Sequence, residues 1–326
     1  MKALLCKQYG LPDTLVLEEV ADPQPKADEI VVDVKAAGVN FPDVLIIQNK
    51  YQFKPELPFA PGGEMAGIVS AVGENVKHLK AGDRVLGLCT SGAFAEKVRL
   101  PAARAIPVPE GVGFDTAAAF LLTYGTSWHA LKDRAELRAG ETVLVLGASG
   151  GVGISAIQIA KALGARVIAA ASTEEKLQIC RDNGADETIN YASEDLRERL
   201  KALTGDKGPD IIYDPVGGEY AEPAFRSIGW RGRYLVIGFA NGEIPRLPFN
   251  LALLKGASIV GVFWGSYTQR EPQRFAQDVK DMFALVAEGK LRPHISAHYP
   301  LAQGAQALND MMNRKVTGKV VIEVAA

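Results

Sequence analysis

From residue 141 to residue 262 the sequence alternates between two rhythms, and no other feature limits the fold so tightly. Short apolar runs at 143–146, 167–170, 187–189, 211–213, 234–237 and 258–262 read as strands. Between them, 154–163, 174–182, 193–203, 220–228 and 251–254 read as amphipathic helices. A strand followed by a helix does not turn back as a hairpin; it crosses over and lies parallel to its predecessor. The pattern predicts an α/β architecture with a doubly wound parallel sheet. Six strands are the full set of a two-halved dinucleotide-binding fold.

One stretch inside this pattern carries chemistry. Gly147-Ala148-Ser149-Gly150-Gly151-Val152-Gly153 follows the first strand and opens the first helix. A pyrophosphate site there needs a tight reversal, close backbone approach and close helix-on-strand packing, which glycine permits. The helix N-terminus adds free N–H groups and a positive dipole end. The strict GxGxxG pattern fails, because Ala148 stands in the first glycine position, ahead of Gly150 and Gly153. A purely structural turn is the plainer alternative, but the strand–helix context favours a dinucleotide. Ser149, Gly150, Gly151 and Val152 are the expected phosphate contacts.

The second strand indicates which dinucleotide. Sites for NAD hold the ribose 2′-hydroxyl with an acid at the end of this strand. Here the strand ends in Ala171-Ser172, and Glu174 and Glu175 follow only later. Lys176 is available to a 2′-phosphate, or is simply a solvated helix residue, and Tyr191 follows the third strand with a phenolic donor. NADPH is the expected cofactor.

The rest of the chain is organised differently. At 326 residues it suits about two domains. The first third has short Val/Ile runs, such as 29–34, 66–72 and 83–88, broken by Gly, Pro and Asp, which predict a β-rich, barrel-like domain. A Pro-rich linker strand at 101–110 leads into an apolar helical stretch at 114–131. Helices at 271–288 and 302–312 and a strand at 319–324 read as a tail that returns to the first domain. The expected division is 1–123 with 267–326, and 124–266. A formal net charge of −2 argues against nucleic acid or an anionic membrane as main partner. No apolar run is long enough to span a bilayer, and the N-terminus lacks the h-region of a signal peptide. The three cysteines, Cys6, Cys89 and Cys180, are scattered, so a reducing cytoplasm is the expected compartment.

Two motifs carry a family resemblance. Gly140-Glu-x-x-Leu144-x-x-x-Ala148-Ser149-Gly150-Gly151-x-Gly153-x-x-x-x-Gln158-x-x-Lys161 resembles the quinone oxidoreductase and zeta-crystallin signature. Gly63-Glu64-x-x-Gly67, with Gly73 and Val76, resembles the pattern of medium-chain dehydrogenases/reductases. The resemblance spans essentially the whole chain. It implies a GroES-like catalytic domain with a partly open β-barrel, a Rossmann domain, and an active-site cleft between them. It also implies a homodimer or homotetramer paired through the Rossmann domains, with the strand at 258–262 as the expected edge.

In zinc-dependent relatives a Cys and a His-Glu pair of the first domain help to hold the catalytic metal. Here the Cys position is Asn40 and the His position is Gly63, while Glu64 remains. One carboxylate does not make a zinc site, and the four-cysteine structural lobe is missing. No metal is expected, and Glu64 has the alternative of a buried, paired structural carboxylate.

Without a Lewis acid, the chemistry left is hydride delivery from NADPH to an acceptor that is already electrophilic. Negative charge then develops on an oxygen and needs donors and a proton. By resemblance, Asn40 lies beside the nicotinamide ribose and Tyr51 is the cleft tyrosine, a proton donor or a rim residue. Asp43 orients Asn40 or a water, or is a turn carboxylate. Thr123, Val236-Ile237-Gly238-Phe239 and Val262-Phe263-Trp264 carry over as cofactor contacts, the apolar ones through their backbone. The expected function is NADPH-dependent quinone reduction. The alternatives are an NADPH-dependent enoyl reductase and a non-catalytic, crystallin-like NADPH-binding protein.

Overall fold

The computed structural model describes residues 1–324. Seven strands come first: β1 (Lys2–Leu5), β2 (Val16–Glu19), β3 (Glu29–Val39), β4 (Glu64–Val72), β5 (Arg84–Leu88), β6 (Lys97–Pro101) and β7 (Ala105–Pro107). Six follow: β8 (Thr142–Leu146), β9 (Arg166–Ala171), β10 (Glu187–Asn190), β11 (Ile211–Asp214), β12 (Arg233–Val236) and β13 (Ser258–Gly261). Two more, β14 (Ile295–Pro300) and β15 (Lys319–Glu323), close the described chain. The chain divides into two compact units, Met1–Leu122 with Pro293 onward, and Thr123–Arg292.

The first unit is built around β3. Its first half pairs with β6 and its second half with β15, while β4 runs along the other side, all antiparallel. Register shifts between Val31 and Val32 and between Val34 and Ala36 interrupt the pairing with β4. Such bulges bend a strand and sharpen its twist, which lets one long strand serve both parts of a curled, GroES-like sheet. The sheet order is β14-β15-β3-β4-β5-β7, with β6 on β3. Its inner face buries Ile30, Val32, Met65, Val85, Phe94, Leu100, Val320 and Ile322 in one core.

The second unit holds a six-stranded sheet in the order β10-β9-β8-β11-β12-β13, with every pair parallel. Numbered along this sheet, the order is 3-2-1-4-5-6, the Rossmann order. The direction reverses between β8 and β11, so the crevice for a ligand opens at the carboxyl ends of these strands. The strands expected from the sequence agree with those observed to within one residue at each end, most directly for the central strands β8, β9 and β11, whose burial on both faces makes them near-continuous apolar runs.

The return to the first unit comes at residue 293 rather than 267. Helices Trp264–Arg270 and Pro272–Ala287 belong to the second unit. Side chains tie them there: Trp128 Nε1 donates to Asp278 Oδ1 at 3.1 Å, and the His129 and Tyr267 rings stack at 4.0 Å.

Gln158 fastens the end of this unit. Its Oε1 accepts from the Tyr124 hydroxyl at 2.8 Å and from the Arg292 N–H at 2.8 Å. Its Nε2 donates to Asn183 Oδ1 at 2.7 Å and to the Arg292 carbonyl at 2.9 Å. Gln158→Leu strands several of these partners in a buried place, and the expected loss is about 2–4 kcal/mol of unfolding free energy in urea titrations. A loss below about 0.5 kcal/mol contradicts the assignment.

Candidate functional site

In the first unit β3 ends at Val39, and Asn40 starts the helix Phe41–Ile46. Pro42 suits the first turn of that helix, where a missing N–H costs nothing. Asp43 closes the start by accepting the Asn40 backbone N–H on Oδ2 at 2.8 Å. The Asn40 side chain is committed at both ends. Its Oδ1 accepts from Lys319 Nζ at 2.5 Å, and its Nδ2 donates to the Gly38 carbonyl at 3.2 Å and to Glu64 Oε2 at 3.1 Å. Glu64 is fully buried; its Oε1 accepts the Leu122 N–H at 2.9 Å and its Oε2 lies 3.3 Å from Lys319 Nζ. It is the buried, paired carboxylate that the sequence left as an alternative.

Asp43 is buried, and burial pushes its carboxyl up to about 7, although the Asn40 and Gly63 N–H groups and Lys319 favour the charged form. Tyr51 is half-buried against the core of this unit. Burial, then the nearby Asp43 charge, hold its phenol above its ordinary range, so it is protonated at neutral pH. Burial raises the Cys89 thiol to about 12, which removes it as a nucleophile. Among the described residues, no group of three or more His, Cys, Asp or Glu side chains is arranged to hold a metal ion.

Lys319 was missed in the sequence. The usable signal was indirect: a buried carboxylate at Glu64 requires a cation. Local pattern gives no hint, because β15 reads as an ordinary apolar strand with a lysine at its edge.

In the second unit the glycine turn joins β8 to the helix Gly151–Ala162. Gly147 has φ +56°, a left-handed conformation, and a Cβ on Gly153 would lie 2.5 Å from the Ala148 carbonyl oxygen. Ala148 stands in the first glycine position because its methyl points into protein; the residue is fully buried, and its N–H reaches the Ala170 carbonyl at 3.0 Å. A Cβ on Gly150 would meet only the Gly147 carbonyl, at 3.4 Å, so the protein itself leaves that space open. Ser149 beside it is buried, and the Val152 carbonyl accepts from Ser127 Oγ at 3.1 Å and Ser155 Oγ at 3.0 Å. Thr123 is buried, and its carbonyl accepts from Ser155 Oγ at 3.0 Å.

The neighbouring strand ends complete this edge of the sheet. Ser172 follows β9 half-buried, and Thr173 caps the helix Glu174–Asp182 through Oγ1 and the Lys176 N–H at 3.3 Å. Lys176 therefore sits on the first turn of that helix, and Glu174 is paired with Arg181. Tyr191 is held to the same place by its N–H on the Ala171 carbonyl at 3.1 Å, with its ring against Tyr220 at 4.4 Å. Beyond β12, Ile237 N–H reaches the Asp214 carbonyl at 3.0 Å, and Gly238 and Phe239 continue the loop from Val236. Beyond β13, Val262 N–H reaches the Val236 carbonyl at 3.1 Å and Phe263 is exposed. The Trp264 side chain is buried instead, its ring lying where a Cβ on Gly125 would come within 2.4 Å. Asp214, which the sequence did not single out, shapes the end of β11 by accepting the Val216 and Gly217 N–H groups at 2.8 and 2.9 Å.

A curled sheet unit, antiparallel apart from β14 on β15, and a 3-2-1-4-5-6 parallel sheet with a glycine turn opening its first helix define a medium-chain dehydrogenase/reductase. Residues 26–110 match the alcohol dehydrogenase GroES-like domain and residues 151–285 match the zinc-binding dehydrogenase domain. The chain is 39% identical over 324 residues to a quinone oxidoreductase-like protein 2 homolog of Nematostella vectensis, covering 98% of this chain and 88% of that protein. It is 35% identical to the quinone oxidoreductase of Homo sapiens, covering 99% and 97%. Among solved structures, quinone oxidoreductase of Escherichia coli complexed with NADPH superposes with a TM-score of 0.93 at 32% identity, covering 99% of this chain and 100% of that one. The chain belongs to the quinone oxidoreductase family of that superfamily, and it is an oxidoreductase.

The buried Asp43 carboxyl makes a pH prediction. Its folded-state pKa of about 7 lies above the ordinary 3.8, so the native state holds this proton more tightly than the unfolded chain. Its contribution to stability is therefore largest below about pH 4, falls as pH rises to about 7, and is level above that. Asp43→Asn mimics the protonated form and removes the dependence. Denaturation of both proteins from pH 4 to 8 should show wild type losing ground to the variant by at most about 4 kcal/mol. A difference independent of pH contradicts it.

Proposed function

We propose that this oxidoreductase reduces quinones with NADPH and without zinc. The observation that carries the cofactor assignment is the end of β9, where Ser172, Lys176 and Tyr191 stand and no acid takes the ribose position. A 2′-phosphate there meets a hydroxyl, an ammonium and a phenol rather than a carboxylate. The open space at Gly150 and the helix N-terminus behind it fit the pyrophosphate. The complex of the E. coli relative with NADPH supports the same reading.

Zinc does not fit the first unit. Asn40 and Gly63 supply neither thiolate nor imidazole, and Glu64 already has an ammonium beside it. NADPH, when bound, supplies the hydride. The residues of this chain have the remaining tasks: the turn holds the phosphates, and Tyr51 keeps its phenolic proton at neutral pH for a developing oxyanion. An acceptor activated in itself, such as a quinone, suits this set. The protonated Tyr51 also favours a second reading, reduction of enones or enoyl thioesters, where the product carbanion needs a proton.

NADPH oxidation against quinones, enals and crotonyl-CoA tests both. Turnover with quinones is expected, and turnover confined to crotonyl-CoA moves the assignment to enoyl reduction. Lys176→Ala should raise KM for NADPH by about tenfold and leave KM for NADH unchanged. An unaltered preference for NADPH overturns the phosphate assignment.

The edge of the parallel sheet suits a second copy of the chain. No strand among the described residues pairs with the outer side of β13, where Arg134 Nε donates to the Gly261 carbonyl at 3.2 Å; Ile259 is exposed on it, and Leu253, Leu254, Phe249 and Phe263 are exposed on the segments around it. Edge-to-edge pairing would bury them in a homodimer. Ile259→Lys should shift sedimentation toward the monomer; an unchanged coefficient rules this edge out.

A further inference from the structure

Lys319 is the one buried lysine among the described residues, and nothing in the chemistry proposed above uses it directly. An ammonium has three N–H donors and no acceptor. Lys319 Nζ meets three oxygens: the Val39 carbonyl at 3.3 Å, Asn40 Oδ1 at 2.5 Å and Glu64 Oε2 at 3.3 Å. Its hydrogens are used up within the protein, so it does not itself donate to a bound acceptor. Its reach is through Asn40. With Oδ1 held by the cation, the Asn40 amide has one orientation, and both Nδ2 hydrogens go to Gly38 and Glu64. The Asn40 backbone N–H in turn holds Asp43, and the helix that starts here leads to Tyr51. The register of β15 on β3, Val320 opposite Val39, brings Lys319 alongside Asn40.

We propose that Lys319 is a positioning residue for the reduction: a fixed internal cation that, through Asn40 and Glu64, holds residues 40–51 so that Asp43 and Tyr51 are presented in one geometry. The proposal rests on the reading of Asp43 and Tyr51 as reaction groups. The rival account is charge compensation alone, in which Lys319 only neutralises Glu64.

Two variants separate the accounts. Lys319→Met leaves Glu64 buried without its cation and should lower the melting temperature. Glu64→Gln combined with Lys319→Met removes both charges and should recover most of that stability. Under the proposal the double variant still has kcat for NADPH oxidation with 1,4-benzoquinone at least tenfold below wild type. The dissociation constant for NADPH, followed by cofactor fluorescence, should stay within twofold of wild type. Recovery of kcat together with stability establishes charge compensation alone and overturns the proposal. A fourth readout does not depend on activity. The Asn40 side-chain amide protons, followed by NMR, should exchange slowly in wild type and at least tenfold faster in the double variant. Equal exchange overturns the proposal. Faster exchange in a protein whose wild type turns over no acceptor upholds the positioning and sinks the functional reading instead.

Discussion

The buried carboxylate of Glu64 sets the conditions for the whole first unit. An ionised group taken out of water costs several kcal/mol unless it is paired and hydrogen-bonded. Glu64 meets this with partners from three distant parts of the sequence: Asn40 after β3, the Leu122 N–H, and Lys319 at the start of β15. The last is the most demanding, because it requires the tail of the chain to come back and pair with β3 in one register. A slip of one residue would turn Lys319 away from Asn40 and leave the three oxygens it meets without their cation. A buried ion pair contributes little net stability, and the register of β15 on β3 is the one in which this pair forms.

The same arrangement explains why the trio Asn40, Asp43 and Tyr51 divides as it does. Asn40 is spent on the protein: its amide is a strut between a cation and an anion. Asp43 is half-committed, accepting two backbone N–H groups, yet so deeply buried that its proton affinity reaches the neutral range. Tyr51 is the least buried of the three and keeps its proton. Asn40 and Asp43 are buried and held by the protein, while the half-buried Tyr51 keeps a phenolic proton.

Legibility in the sequence followed the range of the interactions. The parallel sheet could be read almost residue by residue, since the burial of its central strands on both faces is written locally as runs such as Val143-Leu144-Val145-Leu146. The glycine turn was legible for the same reason, including Ala148, whose methyl the core accepts. The boundary at 293 was not, because the helix Pro272–Ala287 has an apolar face that fits any neighbour, and long-range contacts such as Trp128 with Asp278, Asp133 with Arg274 and Gln158 with Arg292 decide which. Trp264 was expected to reach the cofactor through its backbone, and its side chain is buried against Gly125. Lys319 was invisible because a lysine beside an apolar strand is nearly always solvated, and its partner stands 255 residues away.

Charge placement also accounts for the chemistry open to this fold. A metal centre would need Glu64 and a thiolate and imidazole from the positions of Asn40 and Gly63. Here a lysine ammonium contacts the carboxylate that remains, and an amide and a glycine stand where soft ligands would be. A metal is a Lewis acid that exchanges its ligands and can take an alkoxide; an ammonium with its three hydrogens committed cannot. On the proposed zinc-free reading, an ammonium in place of a metal balances the Glu64 charge without a Lewis acid to activate an alcohol. On the proposed reading, the site serves acceptors whose own electronic structure invites hydride, with the Tyr51 phenol as the proposed source of the proton.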